Sequence, residues 1–207
     1  MHPRIYERFE RICAQHKWSG RVLEVGTIPD QKSLLRMRCL EGVREKLGLD
    51  LNGPFDCDGI PVVKGNANDL PFEDNSFDGV LCHAVIEHDP FFWRTVSEAR
   101  RVAKPGGLIV FGGPAFVELT GESIRQRIAK WPITRKLAKK SRVVDCVINS
   151  TLCFRVHAAP GDYYRFGEQA FKEVILEGLD EIQTCVMMTP PRIIGIGRKP
   201  LIKSAAA

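Results

Sequence analysis

The sequence predicts an α/β fold: a seven-stranded, mainly parallel sheet with helices on both faces, and a helical insertion over the sheet's carboxyl edge. Three observations carry this. Short β-rich runs alternate with helical runs through the first half of the chain, joined by short turns. The first of these, Arg21-Val-Leu-Glu-Val25, runs straight into a glycine and a turn, Gly26-Thr-Ile-Pro29, as a strand feeding a ligand loop does. Between 114 and 160 the alternation stops, and two basic helical pieces surround Trp131-Pro132.

Taken in order, residues 3–17 place Ile5, Phe9, Ile12 and Cys13 at helical spacing, an amphipathic lead-in helix. Arg21–Val25 is the first strand. Asp30 is placed to cap a helix carrying Leu34 and Leu35, with Gly42 near its end. Lys46–Leu51 reads as a second strand, ended by Asn52-Gly53-Pro54, and Pro61–Lys64 as a third. Gly79–Cys82 is a fourth, entered through Glu73-Asp-Asn-Ser76. Phe91–Val102 is a helix with Phe92, Val96, Ala99 and Val102 along one face; Lys104-Pro-Gly-Gly107 stops it, and Leu108–Phe111 follows as a fifth strand. The insertion spans 113–166. A last helix at Phe171–Leu179 and strands at 181–188 and 192–197 close a single domain of 207 residues, whose 44% hydrophobic content suffices for a substantial core.

Composition narrows the function. The start, MHPRIYERFERI, has charges every few residues and no apolar h-region, so it does not read as a signal peptide. No run approaches the roughly 18 apolar residues of a spanning helix. Seven cysteines without a C-x-x-C pair suit reduced thiols better than disulfides or zinc. The expectation is a cytoplasmic protein. Net charge is only +5, yet Arg125 to Arg142 holds eight Lys/Arg and no acid. That run reads as a solvated helix face, a landing site for an anionic acceptor, or a membrane-surface contact. Trp131 is the one aromatic residue in it, too few for base stacking, so nucleic acid is not expected.

Two strand tips carry the first chemical signal. Glu24 lies at the end of the first strand and Asp50 at the end of the second, neighbours in a doubly wound sheet. A carboxylate at the second tip can accept from a ribose diol; alternatively Asp50 caps a turn with Asn52. Beyond them stand Gly65-Asn-Ala-Asn-Asp-Leu-Pro-Phe72, Asn75-Ser-Phe-Asp-Gly-Val-Leu-Cys82, Ala84-Val-Ile-Glu-His88 and Arg101-Val-Ala-Lys-Pro-Gly-Gly-Leu-Ile-Val110. In this order and spacing, over about residues 21–112, the chain resembles the class I S-adenosylmethionine-dependent methyltransferases, a Rossmann-like family, and its small-molecule branch in particular.

The resemblance implies a cofactor, S-adenosylmethionine, and names its contacts. Glu24 and Gly26 would sit under the methionine part, with Thr27 lending a hydroxyl. Asp50 would hold the ribose, with Leu51 and Ala67 on the two faces of the adenine. Asn66 stands where the family usually has an aspartate and keeps a carbonyl acceptor; Asn68 belongs to the same loop. His83, just past the fourth strand, would face the amino-acid end and the methyl group.

The segment Val156-His-Ala-Ala-Pro-Gly-Asp-Tyr-Tyr-Arg-Phe166 resembles a signature of sugar and polysaccharide-pathway methyltransferases. It crowds His157, Asp162, Tyr163, Tyr164 and Arg165 together, a mix of donors, acceptors and rings suited to a polyhydroxylated acceptor. It also suits a structural corner in which Asp162 pairs with Arg165 and Tyr164 fills the core. An alcohol acceptor profits from a base near neutral pKa, which makes His157 the first candidate, His83 the second, and Asp162 their carboxylate. His88 reads as a packing or site-edge residue that, with Tyr163, Tyr164 and Arg165, would contact the acceptor. Magnesium, ligated through Glu87 and His88, is an option. The expectation is therefore O-methylation of a carbohydrate hydroxyl. Alternatives are a lipid, quinone or nitrogen acceptor, or a non-catalytic cofactor-binding protein. The expected partner is the small-molecule acceptor, and a homodimer is left open.

Overall fold

A computed structural model describes residues 1–29, 33–116, 124–149 and 161–201. The helix α1 (Pro3–Cys13) opens the chain, with Pro3 in its first turn, where a missing N–H costs nothing. Its buried positions Ile5, Phe9 and Cys13 follow each other at four-residue steps and form one stripe.

The sheet has eight strands, one more than expected: β1 (Arg21–Val25), β2 (Glu45–Asp50), β3 (Phe55–Asp56), β4 (Pro61–Lys64), β5 (Phe77–His83), β6 (Ala103–Pro114), β7 (Asp180–Met188) and β8 (Pro191–Arg198). The extra strand is the two-residue β3, too short to show a period. The order is β3-β4-β2-β1-β5-β6-β8-β7. The pairs from β4 to β6 are parallel, and β3, β7 and β8 add antiparallel partners at the two ends. The order reverses between β1 and β5, so the carboxyl ends of β1, β2, β4 and β5 open on a switch-point crevice.

Alternation along the strands divides the core in two. Ile109 and Phe111 of β6 join Leu23, Val80 and Cys82 on the face covered by α2 (Phe92–Val102), which buries Val96, Ala99 and Val102 there. Leu108 and Val110 join Val22 and Leu81 on the face covered by α1. Leu34, Leu35 and Leu40 also pack on this second face, from 3₁₀ turns at Leu34–Arg36 and Arg38–Leu40. The α-helix expected there is thus two short turns; its proposed cap, Asp30, lies outside the described residues. The expected last helix is the single turn α6 (Glu168–Ala170) running into a π-helical turn, Phe171–Ile175, with Phe171 and Ile175 buried.

The chain divides into two compact units. The first holds Met1–Val117 and Pro160–Ala207, which includes the sheet; the second is Glu118–Ala159, narrower than the insertion expected at 113–166. In the second unit, α3 (Ile124–Ala129), α4 (Pro132–Lys140) and α5 (Arg142–Asn149) pack together. Among the described residues, no helix is long and apolar enough to cross a membrane.

Candidate functional site

A cleft of about 510 Å³ opens where the switch point lies, lined by the ends of β1 and β2, the loop after β4 and the loop after β5. Its volume is that of a small-molecule or cofactor site. Gly26 forms part of the floor with φ +81°, and a Cβ there would meet a Val85 methyl at 2.2 Å. Both reasons for a glycine coincide at this residue: a left-handed turn and close backbone approach. The loop is pinned to β2, because Gly26 N–H and Thr27 N–H both donate to Leu49 O, at 2.8 and 3.1 Å.

Asp50 and Leu51 form one wall. Asn52 donates to Asp50 Oδ1 from its backbone N–H at 2.8 Å and from its amide at 3.0 Å. The turn-capping role therefore occupies one carboxylate oxygen, and Oδ2 has no partner among the described residues. Leu51 is 66% exposed, an isolated apolar surface beside that carboxylate. Opposite lie Asn66, Ala67 and Asn68. Asn66 Oδ1 accepts from Asn68 N–H at 2.9 Å, and the Asn68 amide donates to Asp89 Oδ2 at 2.6 Å and Thr95 Oγ1 at 3.0 Å. Thr95 Oγ1 also donates to Asp89 Oδ2, at 2.7 Å, so the loop is tied to the start of α2. Asp89, Phe91, Ile28 and Val85 also line the cleft and were missed by sequence reasoning. Asp89 had a signal: Asp-Pro two residues before an aromatic helix start, where its Oδ1 accepts Phe91 N–H at 2.8 Å.

Three expected cofactor contacts do not reach the cleft. The Glu24 carboxylate is buried and accepts from Ser33 Oγ at 2.5 Å, Leu34 N–H at 3.0 Å and Thr27 Oγ1 at 3.2 Å. It clasps the loop after β1 to the first 3₁₀ turn. Burial pushes its pKa up, against these hydrogen bonds, which pull it down. Thr27 is fully buried, its hydroxyl also donating to Glu24 O at 2.9 Å. It packs so closely on β2 that a Cβ at Gly48 would come within 2.7 Å of its oxygen. His83 lies against Phe9 of α1, edge to face at 4.8 Å, and its Nδ1 is buried without a hydrogen-bond partner. Burial, helped by the Arg192 charge, lowers its pKa to about 3. His83 is half-buried against α1 and is not among the residues that line the cleft.

The second candidate cluster is also reassigned in part. His157 lies outside the described residues. Asp162 and Arg165 form a two-pronged ion pair, with the Asp162 side chain 1% exposed. A buried carboxylate needs a partner, and Arg165 supplies one. Tyr164 stacks beside Phe166 and meets Phe92 edge-on at 4.9 Å, its hydroxyl donating to Pro90 O at 3.0 Å. The structural corner therefore describes Asp162, Tyr164 and Arg165, and Tyr163 stays exposed. The corner is held to the loop after β5: Tyr163 N–H donates to Glu87 O at 2.8 Å, and His88 Nδ1 contacts Gly161 O.

Gly161 O can only accept, so in this contact Nδ1 carries the proton. His88 lines the cleft and brings an imidazole to it. Glu87 is fully buried, both carboxylate oxygens lacking hydrogen-bond partners among the described residues, and desolvation raises its pKa. Among the described residues, no group of three or more His, Cys, Asp or Glu could hold a metal ion, and the expected pair Glu87 and His88 gains no third member.

Sheet order, glycine-floored cleft and a carboxylate at the second strand's tip make this a doubly wound, Rossmann-like fold of the kind that class I methyltransferases have. Residues 36–111 match the family model described as "Methyltransferase domain". A demethylmenaquinone methyltransferase of Staphylococcus saprophyticus is 30% identical over 129 residues, 51% of this chain and 55% of that protein. A ubiquinone/menaquinone biosynthesis C-methyltransferase of Brucella canis is 48% identical over 50 residues, 24% of this chain and 19% of that protein. The chain thus spans about half, or less, of the curated relatives it matches. A methyltransferase solved in complex with the Haloferax volcanii Trm112 methyltransferase activator superposes with TM-score 0.62 at 15% identity, covering 96% of this chain and 91% of that one.

Proposed function

We propose that the chain transfers a methyl group from S-adenosylmethionine to a small aromatic acceptor of the quinol class. The observation that carries methyl transfer is the pairing of Asp50 with exposed Leu51 over the Gly26 floor. The open Asp50 Oδ2 suits two ribose hydroxyls, and Leu51 with Ala67 suits the faces of an adenine. A single glycine is enough, because this cofactor has no pyrophosphate to cradle. Bound there, S-adenosylmethionine supplies a methyl already activated on a sulfonium. The chain's own residues then orient the acceptor, exclude water and move one proton.

The aromatic acceptor rests on the rim. Phe91 lines the cleft with Trp93 edge-on at 5.8 Å, and both are exposed, as is Tyr163. Apolar rings present a flat wall to a flat acceptor. The polar set that a sugar would need is largely spent internally in the Asp162–Arg165 pair. The quinone-pathway relatives support the same reading. His88 is the residue we assign to the proton: its ring accepts one from a ring hydroxyl as the methyl leaves sulfur for that oxygen or the adjacent carbon, and after carbon methylation the carbon's own proton is lost and the oxygen is reprotonated, which restores the aromatic ring.

The test is turnover of radiolabelled S-adenosylmethionine with a reduced demethylated quinone analogue, and with a panel of sugars with and without magnesium. Quinol methylation is expected, and turnover of sugars alone would reverse the acceptor assignment. Calorimetry with S-adenosylhomocysteine is the prior check, and absent binding would remove the methyltransferase reading. His88→Gln is expected to bind S-adenosylhomocysteine as before and to lose about 10²–10⁴ in kcat.

A further inference from the structure

We propose that the second unit, residues 118–159, docks on the surface of an anionic phospholipid bilayer. Its helix α4 places Ile133 and Leu137 four residues apart on one face, 71% and 49% exposed. Lys136 and Lys140 flank them on the same side at three-residue steps. Trp131 precedes the helix at 63% exposed, and Val143 and Val147 of α5 repeat the four-residue step at 73% and 50%. Thr134 and Ala138 of α4, with Val144 and Ile148 of α5, are the half-buried positions, so these helices spend one face on each other and leave a second apolar stripe outside.

A merely solvated helix would carry polar residues at 133, 137, 143 and 147. The cations complete the pattern. Arg135, Lys139, Lys140 and Arg142 converge on a cleft of about 550 Å³ within this unit, together with Asp145. None of these four cations has an ion pair among the described residues. Unpaired cations beside exposed Trp, Ile, Leu and Val are the two components of interfacial binding: attraction to headgroup phosphates and insertion of short apolar side chains below them. A nucleic acid would meet the cations but leave the aliphatic stripe in water, since a lone tryptophan is a poor stacking platform. The inference does not rest on methyl transfer, and its readout needs neither cofactor nor acceptor.

The test is co-sedimentation of the full chain with vesicles of phosphatidylcholine alone, or with about one third phosphatidylglycerol. Binding is expected only to the anionic vesicles, weakening as salt shortens the screening length from about 10 Å at 0.1 M to about 3 Å at 1 M. Trp131 emission should shift to the blue on binding, and Trp131→Phe should abolish that shift. The double variant Lys139→Glu, Lys140→Glu should lose at least about 25-fold in partitioning, near fivefold for each charge brought to the surface. Ile133→Ser with Leu137→Ser should lose binding while keeping both cations. Far-UV circular dichroism, which reads the helices of this unit, reports that each variant is folded. Equal binding to neutral vesicles, or none to either, overturns the proposal. So does displacement by inorganic phosphate at constant ionic strength, or tighter retention of duplex RNA than of vesicles.

Discussion

Replacing Glu24 separates a residue that touches the cofactor from one that shapes the loop beneath it. The family resemblance implies a place for this carboxylate under the methionine part; the structure buries it and gives it three donors, Ser33 Oγ, Leu34 N–H and Thr27 Oγ1. Glu24→Ala leaves Ser33 Oγ and Leu34 N–H without their acceptor, while the Thr27 hydroxyl keeps the Glu24 backbone O. At a net of about 1 kcal/mol for each buried hydrogen bond, the loss sums to about 2 kcal/mol. Part of it is offset, because burial already holds the carboxyl's pKa up and removing the group relieves that cost. Glu24→Gln keeps Oε1 for Leu34 N–H, and its amide can donate toward the two hydroxyl oxygens. Its stability should stay within about 1 kcal/mol of the parent. The assay is urea denaturation of both variants beside calorimetry with S-adenosylhomocysteine. Glu24→Ala should unfold at lower urea and bind more weakly, through a loosened Gly26–Ile28 floor. Glu24→Gln should change affinity by no more than a few-fold. The refuting result is a stable Glu24→Gln that has lost affinity by a hundredfold, since only a carboxylate in contact with the cofactor would show it.

Three further outcomes follow from the same geometry. Asp50→Asn keeps the acceptor that caps Asn52 but removes charge assistance, so S-adenosylhomocysteine should bind about tenfold more weakly with urea stability unchanged; unchanged affinity would take Asp50 out of the cofactor site. Gly26→Ala forces a side chain into φ +81° against Val85 and should cost about 1–3 kcal/mol in urea melts, with weaker cofactor binding. His83→Leu tests the buried imidazole. Its folded pKa of about 3 lies below the unfolded value near 6.5, so the unfolded chain binds the extra proton and the parent loses stability as pH falls from about 6.5 toward 3. The variant should therefore gain on the parent below pH 6.5, by at most about 1.4 kcal/mol per pH unit, and keep the parent's pH–rate profile above it.

Much of the sheet was legible because its signals are local. Arg21–Val25 is found at its expected bounds, and Pro61–Lys64 likewise, since β-rich runs bounded by turns need no tertiary information. The stretch after Asp30 was not legible. Leu34 and Leu35 are buried as their pattern asks, but they reach the core from 3₁₀ turns fixed by Ser33 and Glu24, a constraint from another element. Cleft-lining backbone was also legible, Asp50, Leu51 and Asn66–Asn68 among it, because strand tips of a doubly wound sheet must meet there. Side-chain direction was not. For Asp162, Tyr164 and Arg165 one dimension leaves a recognition set and a structural corner both open, and the Asp162–Arg165 pair shows only in the folded corner.

The same distinction explains how a loop with one glycine can stand where dinucleotide sites use several. Extra glycines let the backbone approach a pyrophosphate and let helix and strand pack closely. Here the second task falls to side chains. Glu24 reaches from β1 across to Ser33 and Leu34, Thr27 packs on the flat back of Gly48, and Leu49 O takes both loop N–H groups. The loop is thus held down from beneath by a buried carboxylate, and only Gly26 has to stay bare on the side that faces the cleft. A buried acidic residue at the first strand's tip is then a substitute for glycines. Restoring a second glycine, by Thr27→Gly, should lower stability without improving cofactor affinity, because it removes a Glu24 donor and opens no new surface to the cleft.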